Sequence, residues 1–430
     1  MTHTFLKTPL LLSAATAAAF LIGSTAPGPL FAASDTAVGQ LIAETGSTAQ
    51  VGLAYGQGIA DAFAYINRLG GINGKPIALN TVDYGYDLAR ALSTYKKWGE
   101  NLKPVAIQGW GTADTEALVD SVSKDAIVFM SGSSSGHLTD PNGRGPWTST
   151  PAPYNFFYGP SYSDGCRGLV QWAAEEWRRS GAGSRSVFLV LDRPKFVFMG
   201  DNHPYPNSPK AACTDYARGL GFEVLPPVRY SLSPGDFSAQ CQSLKSSGAH
   251  YAFLANTAES NVKLVKDCAA AGVSTQFLTN IYGWDEGAAT QAGSAGNGMV
   301  WVVSVAPWDS DVAGMKTVRE ISKISDPSGE ATRPVHYIRG ICSAYLMGGA
   351  MLAADKAGGI TGPRIKKALE EMRDYVPAGL EGVCLPTTFT PEDHRGTTTV
   401  ILYRNDFDLG SRVQKVYTTT LPLRPDWLGW

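Results

Sequence analysis

A serine-rich loop is the strongest candidate for chemistry in this sequence. Residues Gly132–Gly136 match G-x-S-x-G, the pattern that presents a nucleophilic serine in α/β hydrolases. The pattern needs a strand before it and a helix directly after it. The segment Ala126–Met130 supplies the strand, but Thr139–Gly143 has the composition of a turn. The sequence therefore favours a loop whose hydroxyl and backbone N–H groups bind a polar group, and an exported hydrolase that uses Ser134 is the alternative.

Other short motifs do not assemble a catalytic or metal site. Ser121–Lys124 matches S-x-x-K, but the partner motifs S-D-N and K-T-G are absent from the chain. Gly70–Lys75 is rich in glycine and lacks the spacing of a phosphate-binding loop. The five histidines that follow the N-terminal region are isolated and lack metal-ligand spacing. They are His137, His203, His250, His336 and His394. We expect no enzyme activity, no metal and no cofactor.

The cysteines indicate disulfides in an oxidising compartment. The chain has six, an even number, which allows 15 connectivities; buried free thiols are the alternative. We expect Cys342 to pair with Cys384, and one further pair to form among Cys213, Cys241 and Cys268.

Residues 1–33 have the layout of a secretory signal peptide. Lys7 precedes the apolar run Leu10–Ile22, and small residues follow up to Ser34. The run is shorter than the ~20 apolar residues of a membrane span, and an N-terminal anchor is the alternative. We expect cleavage near Ala33 or Ser34 and a periplasmic mature protein.

The net charge and the chain length further restrict which class of protein this sequence encodes. The net charge is −2, without a basic stripe or a nucleic-acid-binding motif, so we expect no nucleic-acid partner. A chain of 430 residues is long enough for two domains, because one domain usually has about 100–200 residues.

Strand-like and helix-like segments alternate in the first part of the chain, after residue 36. The alternation predicts a parallel sheet with helices on both faces. The predicted strands are Ala37–Ala43, Ile77–Val82, Val105–Gln108 and Ala126–Met130.

The same alternation restarts after a break at residues 140–153, which are rich in proline. A predicted helix at Gly165–Arg179 and a predicted strand at Ser186–Leu191 open this second half. Further along the chain the patterns predict strands at Glu223–Arg229 and Gln276–Thr279 and a helix at Val335–Lys356. Between Pro194 and Pro209 we expect an irregular insertion, whose tip at Asp201–Pro206 is a candidate lid. The pattern of the whole chain thus predicts an α/β fold with two Rossmann-like halves in tandem.

Several segments resemble one known family. They are Ile66–Ile77, Gly109–Ala117, Ile127–Ser135, Asp236–Ala239, Tyr251–Ala255 and Asp393–Gly396. They are similar to the periplasmic solute-binding proteins of branched-chain amino acid ABC transporters, which have the type I two-lobed fold. The resemblance extends over nearly all of the chain that follows the predicted signal peptide.

The resemblance implies two lobes with parallel central sheets, joined by a three-segment hinge. Lobe I would comprise residues 34–154 and 307–389, and lobe II residues 155–306 and 390–430. The chain would cross between them near Pro153–Phe157, Ser304–Trp308 and Thr388–Pro391. The lobes would close on a small-molecule ligand, and the closed form would dock on the permease subunits of an ABC transporter.

The resemblance also implies which residues bind the ligand. In amino-acid-binding members, hydroxyl groups in the loops of the first lobe hold the ligand carboxylate, and Thr112, Ser133 and Ser135 match them by position. In the second lobe this sequence departs from the family pattern. It has Asn280–Trp284 where amino-acid binders have a glutamate for the ammonium group, and Thr257 where they have a covering aromatic residue.

We therefore expect a ligand other than a plain branched-chain amino acid. An aromatic or other carboxylate, an amide or a cofactor-like molecule fits better, stacked by aromatic side chains, which could instead belong to the core. A ligand-sensing module is a further alternative to transport. The candidate ligand-binding residues are Trp110, Thr112, Ser133, Ser134, Ser135, Tyr205, Thr257, Tyr282 and Trp284.

Overall fold

The first sheet has five parallel strands in the order β2-β1-β3-β4-β5. The computed structural model describes residues 36–180, 193–407 and 412–430, so the predicted signal peptide and the predicted strand at 186–191 lie outside it. The strands are β1 (Ala37–Ile42), β2 (Ala78–Asp83), β3 (Ala106–Gln108), β4 (Val128–Ser131) and β5 (Asn155–Phe157). Between them lie the helices α1 (Ala49–Arg68), α2 (Leu88–Asn101) and α3 (Thr112–Asp125). All strands except β2 are fully buried, as expected for a parallel sheet covered on both faces.

The next part of the chain builds a second sheet. Its strands here are β6 (Lys195–Gly200), β7 (Glu223–Val224), β8 (Val228–Arg229), β9 (Tyr251–Leu254), β10 (Gln276–Thr279) and β11 (Val300–Val303). The helices are α4 (Tyr162–Arg179), α5 (Pro204–Asn207), α6 (Lys210–Gly219), α7 (Ser238–Ser247), α8 (Ala258–Ala270) and α9 (Glu286–Ala292). The pairs β6–β9, β9–β10 and β10–β11 are parallel.

The last part of the chain returns to both sheets. It forms α10 (Met315–Ser322), α11 (Val335–Lys356), α12 (Gly362–Glu370), β12 (Thr388–Thr390), β13 (Asp393–Gly396), β14 (Thr399–Asp406) and β15 (Arg412–Thr420). Strand β14 joins β11 in antiparallel orientation and β15 follows it, giving the order β15-β14-β11-β10-β9-β6-β7. We call the body on the five-stranded sheet, with α10–α12, the first lobe, and the body on the larger sheet the second lobe. Among the described residues, no helix is both long and apolar enough to cross a membrane.

Helices α1 and α11 of the first lobe are in backbone contact. A Cβ atom added at Gly58 would lie 2.0 Å from the carbonyl oxygen of Tyr337, and one added at Gly340 would lie 2.1 Å from that of Tyr55. Real side chains do not approach so closely, so only glycine fits at these two crossings. The contact fixes the position of the N-terminal half of α11 relative to α1.

The predicted division into lobes differs from the sheets at two places. Strand β5 (Asn155–Phe157) pairs with β4, so the first sheet extends beyond residue 154. In β13, the backbone N–H of His394 donates to the Thr139 carbonyl oxygen, and its ring stacks on Phe156 at 4.1 Å. This hairpin strand therefore packs on the first lobe, and we propose that the chain crosses after Phe157, after β11 and after Gly396.

The prediction of an irregular insertion at Pro194–Pro209 is wrong for much of its length. Residues Lys195–Gly200 form β6, which pairs with β9 inside the second sheet, and Pro204–Asn207 form the short helix α5. The segment Lys-Phe-Val-Phe-Met-Gly is a short apolar run, which is typical of a buried parallel strand. The proline and asparagine residues on its flanks concealed it. The strand predicted over Glu223–Arg229 is divided into β7 and β8.

Three disulfides cross-link the described chain. Cys342 on α11 pairs with Cys384, which confirms that prediction. The predicted further pair is Cys241–Cys268, between α7 and α8. Cys213 pairs with Cys166, which joins α6 to α4, and this pair was not predicted.

Residues 421–430, which we call the C-terminal segment, contact both lobes. Trp427 packs on the guanidinium group of Arg167 in α4, with 4.2 Å between the Arg carbon and the ring centre. Trp430 stacks on Trp147, in the loop after β4, with ring centres 4.7 Å apart. The segment thereby connects a helix of the second lobe to a loop of the first.

Candidate functional site

Strand ends from the two lobes face each other in one region. Loops after β3 in the first lobe and after β9 and β10 in the second meet there, around a space of about 10 Å³, which is room for about one water molecule. The lining residues are Thr48, Tyr86, Trp110, Gly111, Thr112, Tyr162, Tyr205, Thr257 and Tyr282. Ligands of parallel α/β sheets bind at the carboxyl ends of strands. We therefore take this region, which we call the interlobe cleft, as the candidate site.

Larger depressions lie elsewhere on the described surface. One of about 480 Å³ is formed by α10 and the segment 308–313. Another of about 1000 Å³ lies between α9, residues 307–310 and residues 332–334. Neither is lined by the loops that follow β3, β4 or β9, so volume alone does not identify the site in this protein.

The serine loop after β4 is buried at the base of the cleft, and its hydroxyl groups form hydrogen bonds with side chains of neighbouring elements. The Oγ atom of Ser133 lies 2.8 Å from Oγ1 of Thr112. The Oγ of Ser135 donates to a carboxylate oxygen of Glu116 at 2.7 Å and lies 2.9 Å from Oγ of Ser208. The contact between Ser135 and Ser208 joins the first lobe to the second.

The loop does not have the geometry of a hydrolase nucleophile. A single 3-10 turn, Gly136–Leu138, follows it in place of an α-helix. The side-chain partner of Ser134 is Arg339, whose Nη2 lies 3.4 Å from the serine Oγ. The nearby His137 instead contacts Glu116, with 3.3 Å between nitrogen and carboxylate oxygen. Among the described hydrogen bonds, none joins Ser134 to a histidine, so the hydrolase alternative has no support.

An aromatic cluster fills the middle of the cleft. Trp110 of the first lobe meets Tyr282 of the second edge to face, with ring centres 4.8 Å apart, and Tyr55 packs behind Trp110 at 5.4 Å. The indole N–H of Trp110 donates to the hydroxyl of Thr48 at 2.9 Å. The hydroxyl of Tyr282 donates to the carbonyl oxygen of Gly132 at 2.7 Å. This last bond crosses from lobe to lobe inside the cluster.

A second set of rings closes one side of the cleft. Tyr162, at the start of α4, and Tyr205, in α5, meet edge to face at 5.3 Å. Tyr86, in the loop after β2, lies 5.2 Å from the ring of His203 in the second lobe. Aromatic faces on both lobes therefore surround the space, and they suit a ligand with a planar or apolar body.

Further polar groups of the cleft are neutral hydroxyls and a carboxyl group that lies behind them. The hydroxyls of Tyr205 and Thr257 are buried and lack a hydrogen-bond partner among the described residues. Asp114 lies beneath Gly111 and accepts a hydrogen bond from the Tyr84 hydroxyl at 2.9 Å. Burial raises the pKa of Asp114 to about 6, against the lowering effect of the Tyr84 hydrogen bond. The free hydroxyls are available to a ligand's polar group.

The structure brings most of the predicted ligand-binding residues together. Trp110, Thr112, Tyr205, Thr257 and Tyr282 line the space, and Ser133, Ser134 and Ser135 lie beside it in the serine loop. Trp284 does not line it. The indole of Trp284 is fully buried within the second lobe, where a Cβ atom added at Gly296 would lie 2.7 Å from its ring. Trp284 is therefore a core residue of the second lobe and lies apart from the residues that line the cleft.

Sequence reasoning missed four residues of the cleft. Thr48, Tyr86 and Tyr162 line it, and Arg339 lies behind Tyr282 with its guanidinium carbon 4.5 Å from that ring's centre. Thr48 and Tyr162 lie at the beginnings of helices that follow strands, a position that could have identified them. Arg339 comes from the interior of α11 and had no such signal.

The cleft has the groups for noncovalent binding. Within the described part of the chain, no group of three or more His, Cys, Asp or Glu side chains is arranged to hold a metal ion. Stacking surfaces, free hydroxyls and backbone groups at strand ends can hold a small organic molecule between the lobes.

Solved structures with this fold cover almost the whole chain. An ABC transporter substrate-binding protein of Aeropyrum pernix is 25% identical, with a TM-score of 0.77 over 91% of this chain and 97% of that one. A branched-chain amino acid ABC transporter protein of Thermus thermophilus with bound valine is 20% identical, with a TM-score of 0.76 over 90% and 96%. A fatty acid ABC transporter substrate-binding protein of Thermomonospora curvata is 19% identical, with a TM-score of 0.75 over 88% and 90%.

The sequence match to a family agrees with these likenesses. No curated protein matches the chain. Residues 36–409 match the family described as periplasmic binding protein, and they include both lobes and the interlobe cleft. The two-lobed α/β architecture with parallel sheets is the type I fold of such proteins. The chain is therefore a solute-binding protein and belongs to the periplasmic binding protein family.

Proposed function

We propose that this protein captures a small organic solute in the interlobe cleft and delivers it to the permease of an ABC importer. The observation that carries the proposal is the convergence of aromatic rings and free hydroxyls from both lobes on one space at the strand ends. The bonds Tyr282–Gly132 and Ser135–Ser208 join the lobes across this space. Since the space holds about one water molecule, an organic solute enters only when these contacts separate.

The lining favours a solute with an aromatic or apolar body and a polar group. None of the nine lining side chains carries a formal charge, and Thr257 offers a hydroxyl where an ammonium group would need a carboxylate. A buried ammonium group without an anionic partner is disfavoured by several kcal/mol. Related structures hold chemically different solutes, valine in the Thermus thermophilus protein and a fatty acid, by its name, in the Thermomonospora curvata protein. The shared fold therefore does not determine which solute is bound; the residues that line the cleft determine it.

The site of action in this proposal is outside the cytoplasm. The three disulfides support it, because they persist in oxidising compartments. We propose that residues 1–33 are the secretory signal peptide and that the mature protein is periplasmic, as the sequence of that segment indicates.

A thermal-shift screen tests the binding step. Aromatic acids, branched acids, their amides and amino acids are added to the purified protein, and a solute at 100 times its Kd should add about 2.7 kcal/mol of stability. Substitution of Trp110→Leu should abolish the shift, whereas Trp177→Leu, in a half-buried residue of α4 that packs on His250 outside the cleft, should leave it unchanged. A shift that survives in the Trp110 variant would place binding elsewhere.

An uptake assay tests the delivery step. Cells that lack the protein should lose accumulation of the radiolabelled solute found in the screen, and expression of the full chain should restore it. Restoration by the Trp110→Leu variant, at a solute concentration near the wild-type Kd, would contradict delivery through the interlobe cleft.

A further inference from the structure

We infer that Arg339 is an anion-binding residue of the interlobe cleft and that the solute carries a carboxylate group. This inference rests on the proposed function and names the chemical class of the solute. It starts from one side chain that has a full charge, is 2% exposed and lacks an ionic partner among the described residues.

The surroundings of Arg339 satisfy only part of its guanidinium group. Nη2 donates to the carbonyl oxygen of Tyr158 at 3.2 Å and, more weakly, to the Oγ of Ser134 at 3.4 Å. Nε and Nη1 are buried and have no hydrogen-bond partner among the described residues. The guanidinium carbon lies 4.5 Å from the ring centre of Tyr282 and 5.8 Å from that of Tyr55. The guanidinium group of Arg339 thus contacts two aromatic faces and two uncharged oxygens, in place of the carboxylate that a buried arginine requires.

Another buried arginine shows how this protein pairs such a charge when the role is structural. Arg167 in α4 is 1% exposed, and its Nε and Nη2 likewise lack a hydrogen-bond partner among the described residues, but its Nη1 lies 2.8 Å from a carboxylate oxygen of Asp164. No ion pair within the described residues includes Arg339. A buried charge without a partner is strongly unfavourable, so its presence is explained best by an anion that arrives from outside.

Its position is that of a binding residue. The guanidinium group lies between Tyr55 of the first lobe and Tyr282 of the second, and it touches Ser134 of the serine loop. The adjacent Gly340 is in backbone contact with α1, which holds this turn of α11 in place. The planar fork of donors on Nε and Nη1 matches the two oxygens of a carboxylate.

The rival ionic groups of the cleft are Asp114 and Glu116, which would instead favour a cationic solute. Glu116 is already engaged by the Ser135 hydroxyl and by His137. Asp114 has a structural role, since it lies in the first turn of α3 and accepts a hydrogen bond from Tyr84. An acidic residue in the first turn complements the positive end of a helix. Arg339 has no comparable role in α11, so we take the carboxylate as the solute's charged group.

Matched probes on the same carbon skeleton test the inference. Phenylacetate, phenylacetamide and 2-phenylethylamine, with the corresponding 3-phenylpropanoyl and 4-methylpentanoyl compounds, are titrated by calorimetry at pH 7.5. We expect the acid of at least one set to bind the wild type about tenfold or more tightly than its amide. Equal binding of acid and amide, or tighter binding of the amine, overturns the inference and leaves the proposed function standing. If none of these compounds binds and another solute of the wider screen does, that solute is compared with its own amide, and equal binding of the two overturns the inference alone. If no solute binds at all, the proposed function fails too.

Variants of the residue provide the second arm. Arg339→Met should reduce the affinity for the acid to that for the amide and change the amide affinity by less than about twofold, and Arg339→Lys should retain part of the preference. Arg333→Met is the matched control, since Arg333 packs on Tyr337 outside the cleft, and it should leave acid binding unchanged.

The stability of the variants separates binding from a structural role. Without a probe, Arg339→Met should melt no lower than the wild type, because a buried charge without a partner is removed. A preference for the acid that persists in Arg339→Met overturns the inference. If that variant does not fold, the comparison of acid with amide in the wild type and in Arg339→Lys decides.

Discussion

Removing one hydroxyl group should loosen the contact between the lobes. In Tyr282→Phe the ring stays, but the hydrogen bond to the carbonyl oxygen of Gly132, 2.7 Å long and buried, is lost. No other hydrogen bond to that oxygen is found among the described residues, so it is left without a partner wherever the lobes remain in contact. When the lobes separate, water can satisfy it.

The size of the effect follows from this difference. A buried acceptor that loses its partner is disfavoured by about 1–3 kcal/mol. This free-energy penalty applies only while the lobes are in contact, because water satisfies the Gly132 oxygen when they separate. The ratio of molecules with lobes in contact to molecules with lobes separated should therefore fall about 5- to 150-fold. Because a solute enters only when these contacts separate, affinity for a solute that binds between the lobes should rise, by at most the same factor.

Small-angle scattering and thermal unfolding together check this prediction. Tyr282→Phe should increase the radius of gyration of the solute-free protein. The control is Tyr230→Phe, whose hydroxyl donates to Asn261 at 2.5 Å within the second lobe, and it should lower the melting temperature without increasing the radius. An unchanged radius and an unchanged solute affinity in Tyr282→Phe, or an equal increase in both variants, would refute the reasoning.

Three further predictions concern other parts of the structure. Gly340→Ala should destabilise the protein by about 1–3 kcal/mol in urea unfolding, because the new methyl group meets the backbone of α1; Gly99→Ala, in α2 with open space around it, should stabilise by about 0.5–1 kcal/mol, and a loss there would contradict the packing argument. Replacing Cys342 and Cys384 together by serine should lower the free energy of unfolding by about 2–4 kcal/mol, and no change would show that the cross-link is not formed. Burial raises the pKa of Asp114 in the folded state from 3.8 to about 6. Between these pH values the folded protein keeps a proton on Asp114 that the unfolded chain has released. The wild type should therefore lose stability relative to Asp114→Asn as the pH rises from 4 to 7. Parallel urea curves of the two proteins over this pH range would show that Asp114 titrates normally.

The regular parts of the fold could be predicted because their patterns are local. Helix α11 has the bounds Val335–Lys356 that its composition predicts, and β10 has the predicted bounds Gln276–Thr279. Strand β6 could not be recognised because proline and asparagine residues around it suggested a loop, and pairing with β9 determines its conformation. The closing strand β15 is amphipathic and half exposed, and antiparallel pairing with β14 defines it.

Residues of the site could be predicted only where they follow a predicted strand directly in the sequence. Trp110 and Tyr282 follow β3 and β10 closely, and residues directly after parallel strands are expected at the binding edge. Trp284 has the same composition signal, but the turn at Gly283 directs its side chain into the second lobe. Arg339 reaches the cleft from a helix interior more than 200 residues after the serine loop, and only the folded chain brings the two together.

The two tryptophans of the C-terminal segment have a mechanical consequence. Trp427 packs on a helix of one lobe and Trp430 on a loop of the other, while only two residues lie between them in sequence. A rotation that moves α4 away from the loop after β4 must pull one indole off its partner and expose it to water. The C-terminal segment therefore acts as a tether between the lobes. The angle by which the lobes separate is limited by the stacking of Trp430 on Trp147 as well as by the peptide connections between the sheets.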